Sequence, residues 1–188
     1  MKSNAILLAI LTDPVFVMAV SFSFAMLFLS AACHKFTDLP KFRSVLGGYD
    51  LIPEKLLSMA HLLIPALETA VAMALLTAGT RQVAALGAIS LLLLYAFAML
   101  LSIRNGRTLQ DCGCSLGAVK QPVVVGLVVR NMGYAMLAVL LLVSPSARAL
   151  EGMDLISVAG LVLMLSLFYA IANVLIANQH TSRELFHD

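Results

Sequence analysis

The chain has 188 residues, of which 61% are hydrophobic and 12% charged, with a formal net charge of +2. Soluble domains carry about 25% charged residues and leave about a third of their surface exposed at this size, so the composition excludes a soluble globular protein and calls for lipid cover. It also excludes a disordered chain, which is charge-rich and apolar-poor, and a nucleic-acid binder, which needs a polycationic footprint.

A membrane-spanning helix takes about 20 mostly apolar residues. Five stretches meet that requirement, and the sequence predicts an all-α integral membrane bundle with helices at about 14–33, 55–79, 82–103, 122–143 and 154–177. The runs are too long and too evenly apolar for barrel strands, which are short and alternate in polarity. Val15 to Cys33 carries no formal charge, and Asp13-Pro14 ahead of it interrupts the apolar run Ala5 to Leu11. We therefore read a retained first helix rather than a cleaved signal peptide, with Pro14 in its first turn, where a missing N–H costs nothing. The second stretch holds His61, Pro65 and Glu68, the third is uncharged, the fourth contains Arg130, and the fifth is uncharged.

Between these runs lie a loop at His34 to Pro53, short turns around Arg81 and Pro145, and a loop at 104–121. Short turns force antiparallel neighbours. With five crossings, Cys33 at the end of the first helix shares a membrane face with Cys112 and Cys114 in the 104–121 loop, whichever way the chain is inserted.

Asp111-Cys112-Gly113-Cys114-Ser115-Leu116-Gly117 is the most informative segment. Two cysteines around one glycine can close a tight disulfide that departs from relaxed geometry, and strained bridges are the exchange-competent ones. Cys33 is then a candidate resolving thiol. His34, Lys35, Arg104, Arg107 and Lys120 flank the sulfurs in sequence, and nearby cations raise the thiolate fraction, whereas Asp111 opposes it. Two other readings stand beside this one: Cys33 as a small apolar residue at a helix end, and the cysteines with His34 as a soft zinc or copper site. The spacing alone assigns no metal.

His61 and Glu68 are seven residues apart and share a helix face, with Pro65 between them predicting a kink. Ionisable groups inside a bilayer are costly, so they mark either a functional polar patch or a packing bond between helices. Arg130, at roughly 10 Å depth counted from Val123 at 1.5 Å per residue, either reaches Glu68 through helix tilt or snorkels to the headgroups. Asn131 and Asn173 read as packing contacts. No phosphate loop, hydrolytic triad or carboxylate pair occurs, no cofactor is expected, and a quinone beside the polar patch has no support in the sequence.

The residues after the first helix (Lys35, Phe36, Phe42, Tyr49, Pro53), the second-helix series Pro65, Glu68 and Gly79, and the Cys-Gly-Cys loop resemble the methylamine utilisation protein family MauE, within the wider DoxX-like membrane proteins. The likeness spans essentially the whole chain. One departure is Ser115-Leu116-Gly117 after the second cysteine, where many relatives carry an aromatic residue. The resemblance implies a four-helix core plus one further helix, in the bacterial inner membrane. It also implies a role in maturing methylamine dehydrogenase, whose disulfide-rich small subunit is the client in the periplasm, beside a thioredoxin-like MauD-type partner.

Sidedness is contested between two lines of reasoning. The cysteine face carries eight cations (Lys35, Lys41, Arg43, Lys55, Arg104, Arg107, Lys120, Arg183) against Lys2, Arg81 and Arg148 on the other, and cytoplasmic loops are the cation-rich ones. A periplasmic client places the cysteines outside, where disulfides persist, and that face is favoured here.

Overall fold

The computed structural model describes residues 9–106 and 124–185, with side chains to residue 178. Cys112, Cys114 and the rest of the Cys-Gly-Cys loop lie outside the described residues. The described residues are helical, with no strand among them: α1 (Pro14–Thr37), α2 (Leu39–Gly48), α3 (Glu54–Leu75), α4 (Arg81–Arg104), α5 (Val125–Val139), continued by a 3-10 turn at Leu140–Leu142, and α6 (Gly152–Leu185). Five of these helices, all but α2, are long and apolar enough to cross a membrane, so the chain is a multi-pass membrane protein.

Local sequence explains the helix ends. Asp13 caps α1 by accepting from the Val15 N–H at 2.9 Å, and Pro14 occupies the first turn. Asp38 caps α2 in the same way through the Lys41 N–H at 3.0 Å. This second cap corrects one expectation. The stretch His34 to Pro53 is not a plain loop: α1 continues four residues past Cys33 to Thr37, and the 10-residue α2 follows at once. An Asp-Leu-Pro start after α1 was the available signal, because Asp then Pro is a helix-opening pattern. α3 ends at Leu75 rather than near residue 79, and α6 runs from Gly152, two residues before its expected start.

α1, α3, α4 and α5 form the core, in which α1 packs on α3, α3 on α4, and α4 on α5. Alanines fill the centre: Ala19, Ala25, Ala72, Ala84, Ala85, Ala88 and Ala138 are all buried beside Phe24, Phe28, Leu75, Leu92, Leu127 and Leu141. Small residues let helix backbones approach closely, which matters in lipid because apolar burial by itself does not drive helices together there. α6 leans mainly on α1, and its Leu155, Ile156, Leu163, Leu167, Phe168 and Ile171 remain exposed. The architecture is thus a four-helix core plus one outer helix, with an apolar exterior suited to acyl chains.

The end of the bundle away from the cysteine face is tied by polar contacts. Gln82 Nε2 donates to the Leu142 carbonyl at 3.1 Å and to Ser144 Oγ at 3.2 Å, joining the start of α4 to the end of the 3-10 turn. Arg148 bridges Asp154 at 2.9 Å and Asp13 at 3.4 Å. These partners, Asp154 first, hold the guanidinium above its already high range. The site is solvent-exposed, so it orients the chain more than it stabilises it.

Gly87 marks the tightest helix approach, since a Cβ there would lie 2.9 Å from Val71 Cγ2, a stiff β-branched side chain. Gly87→Val therefore costs about 1–3 kcal/mol by overpacking the α3–α4 contact. A Cβ at Gly133 meets nothing within 4 Å, so Gly133→Ala is neutral or mildly stabilising. Unfolding midpoints in detergent check both, and equal behaviour of the two variants contradicts the packing assignment.

Candidate functional site

The polar centre of the bundle is built from one residue on each of three core helices, covered by one from α2. Along α1, Phe28, Ala32 and Lys35 recur at the spacing of one buried face, and this register turns the Lys35 side chain inward. Its Nζ donates to Glu68 Oε1 of α3 and to the Tyr95 hydroxyl of α4 at 3.3 Å. Tyr95 in turn donates to the same Glu68 oxygen at 2.6 Å. The side chains of Lys35 and Glu68 are 2% and 1% exposed, so both charges are fully removed from solvent. The ammonium also lies 5.3 Å from the Phe42 ring centre and 4.9 Å from that of Tyr95, within cation–π reach.

This arrangement corrects two expectations. Lys35 does not face Cys33. Two residues on a helix amount to a rotation of about 200°, so Cys33 faces away from Lys35. Cys33 is exposed on the outer side of α1. The partner of Glu68 is Lys35, not Arg130. Arg130 instead donates to Asn173 Oδ1 of α6 and, at 3.5 Å, to Asn131 Oδ1, with its guanidinium 5.7 Å from the Tyr169 ring centre. Asn131 and Asn173 thus serve to hold Arg130 and, through it, to fix α6 against α5.

His61 does not join the ion pair. It is half-buried, and its Nδ1 is bonded to the Leu57 carbonyl one turn back at 3.1 Å. Pro65 lies inside an α3 that continues unbroken to Leu75, and the Thr69 hydroxyl donates to its carbonyl at 2.9 Å. His34 is half-buried near the end of α1, where its carbonyl accepts from the Thr37 hydroxyl at 2.8 Å. Among the described residues no three His, Cys, Asp or Glu side chains gather into a metal-binding group.

Tyr95 was not identified from sequence, and Phe42 was noted only among the residues that carry the family resemblance, with no role assigned. Tyr95 left a usable signal: a hydroxyl in a wholly apolar membrane run needs an interhelical partner, and the one unassigned charge in the preceding helix was Glu68. Phe42 left none, because its position depends on α2 folding back over the end of α1.

A narrow cleft opens beside this centre, lined by Leu27, Ser30, Glu68, Tyr95, Arg130 and Tyr134 among others. Tyr134, one of its lining residues, meets the Phe24 ring edge-to-face at 6.5 Å.

The geometry can now be set beside known proteins. The family described as methylamine utilisation protein MauE matches residues 13–144, well over half of the sequence. The chain belongs to the MauE family. Its relatives include methylamine utilization protein MauE of Paracoccus denitrificans, 34% identical over 68% of this chain and 69% of that protein. The protein of the same description from Methylorubrum extorquens is 34% identical over 85% of this chain and 88% of its own. That from Methylophilus methylotrophus is 28% identical over 94% of each. No solved structure gives a significant match. The MauE match stops at residue 144, before α6, so it covers the four-helix core and the Lys35–Glu68–Tyr95 centre but not the outer helix.

Removing one member of a buried ion pair strands the other, at a cost of about 3–5 kcal/mol, whereas replacing both with apolar groups is close to neutral. Lys35→Met and Glu68→Leu are each expected to destabilise the bundle by that amount, and the double variant to recover most of the loss. Denaturation of the purified proteins in detergent measures this cycle, and simple additivity of the two losses contradicts the pairing.

Proposed function

We propose that this chain is a protein of the bacterial inner membrane that serves methylamine utilisation by supporting maturation of methylamine dehydrogenase. Its chemistry is thiol–disulfide exchange on the dehydrogenase small subunit, at the periplasmic face. Cys112 and Cys114 are the exchanging pair, Cys33 is the resolving thiol, and a thioredoxin-like protein of the MauD type is the partner. The single observation that carries this reading is membership of the MauE family in a chain that also holds a Cys-Gly-Cys motif.

The step balances as follows. A thiolate of the client attacks the Cys112–Cys114 disulfide, giving a mixed disulfide and one free cysteine thiolate. A second client thiolate attacks the client sulfur of that mixed bond, so the client leaves as a disulfide and the pair is left as a dithiol. Two electrons have passed from client to pair, and the two protons given up by the client thiols are balanced by the two taken up by the pair. The disulfide of the thioredoxin-like partner then takes the two electrons and restores the oxidised pair.

Three features support the assignment. Short Cys-Gly-Cys bridges are strained and therefore exchange readily. The exposed position of Cys33 leaves its sulfur accessible from outside the bundle. Burial of Lys35 against Glu68 also takes one of the eight cations out of the cysteine-face loops, leaving seven against three, which narrows the charge argument for a cytoplasmic face.

Cys112→Ser and Cys114→Ser are each expected to abolish the mature, disulfide-bonded small subunit while the variant proteins accumulate normally in the membrane. Non-reducing electrophoresis of the subunit and immunoblots of the membrane fraction read the two quantities. Normal small subunit in both variants overturns the exchange mechanism and favours a noncatalytic scaffold.

A further inference from the structure

The centre of the bundle leaves two polar atoms unsatisfied. Glu68 Oε1 is shared by Lys35 and Tyr95, but Glu68 Oε2 is buried with no hydrogen-bond partner among the described residues, and so is Arg130 Nε. Both residues line the same cleft, together with the half-buried Ser30 of α1 and Tyr134 of α5. An unpaired buried carboxylate oxygen or guanidinium N–H carries the full desolvation penalty of its group, and in the membrane interior no bulk solvent offsets it. The charges facing the cleft do not balance either. Lys35 neutralises Glu68, while among the described residues the partners of Arg130 are the neutral amides of Asn173 and Asn131 and the ring of Tyr169. Among the described residues, therefore, the Arg130 guanidinium has no counter-charge at hydrogen-bond range.

The chemistry of the two open groups defines what completes them. The Glu68 oxygen accepts a hydrogen bond and the Arg130 Nε–H donates one, so a single occupant must donate at one end and accept at the other. The space that the centre of a water molecule can occupy is about 30 Å³. That is room for about two waters and too little for a ring-sized ligand. Water also screens the uncompensated guanidinium, as an apolar occupant cannot.

We propose that the cleft between α1, α3, α4 and α5 is an internal hydration site, holding water hydrogen-bonded to Glu68 Oε2 and to Arg130 Nε. Through it the Lys35–Glu68–Tyr95 centre exchanges protons with the outside of the bundle. Among its lining residues Ser30, Ala31 and Tyr169 are half-buried, so the cleft is not sealed from outside the bundle. Phe24 and Leu75, in the hydrophobic core packed beside it, are not among its lining residues. The hydration site holds whichever client the cysteines act on.

Pulsed hydroxyl-radical labelling of the full-length protein in nanodiscs, in water enriched in oxygen-18, tests this directly, because radicals formed from bound water mark the side chains beside it. Tyr134, Phe28 and Leu92, which line the cleft, are expected to take up the label several-fold faster than Phe24 and Leu75, which do not; Phe28 and Leu92 are as buried as these two, so exposure does not account for their difference. Filling the cleft with Ala31→Leu is expected to bring the three down to the level of the other two. Labelling of the three lining residues no faster than that of Phe24 and Leu75 in the unaltered protein overturns the proposal, and this comparison needs no variant to fold. Fast labelling that persists in a folded Ala31→Leu protein overturns it as well.

Discussion

A buried ammonium–carboxylate pair fixes the geometry of this membrane bundle. Taking Lys35 and Glu68 out of water and into a low-dielectric interior is expensive for each alone and tolerable only for both together, with the remaining hydrogen-bonding capacity met. Tyr95 supplies the additional hydroxyl, and the rings of Phe42 and Tyr95 supply faces for the ammonium. Four elements, α1 to α4, are therefore locked by one cluster. Small-residue packing then needs only to bring the helices into contact, because the cluster decides their register and rotation.

That constraint organises the cysteine-bearing face. Turning Lys35 inward requires Cys33 to turn outward, since the two are on opposite sides of the same helix. It also accounts for α2. The chain after α1 has to fold back so that Phe42 covers the ammonium, and Asp38 with Pro40 opens the helix that does so. Arg130 acts at a second polar position, where Asn173 holds the otherwise loosely packed α6 against the core. The outer helix is attached by its lean on α1 and by the contacts of Asn173 and Tyr169 with Arg130, with little burial, in keeping with a MauE match that ends before it.

Much of this was legible in the sequence. Five apolar runs with short turns gave the crossings and their order, because the thickness of a bilayer leaves few ways to read a 20-residue uncharged stretch. Glu68 and Arg130 were identifiable as consequential because charges within a membrane need a reason, while Lys35 stood out only as a cation flanking the cysteines and as a residue carrying the family resemblance. Their partners were not legible. Glu68 lay deeper along its helix than the ends of the loops, and nothing in a linear sequence says that a lysine counted among the loop cations reaches down to meet it. The fold of His34 to Pro53 was misread for the same reason: Gly47, Gly48 and several polar residues gave it the composition of a loop, and α2 is held in place by its contacts with α3. His61 was grouped with Glu68 by helical spacing, yet its ring is turned to its own backbone.

The central claim is that the charge pair, rather than either residue's shape, sets the arrangement of α1 and α3. Exchanging the charges measures this most directly: Lys35→Glu, Glu68→Lys and the two together, each followed by the amount of folded protein in the membrane and by growth on methylamine. The account predicts that each single exchange, which buries two like charges, loses both, and that the double exchange restores a substantial part of each. Single exchanges that accumulate and support growth normally, or a double exchange no better than the poorer single, contradict it.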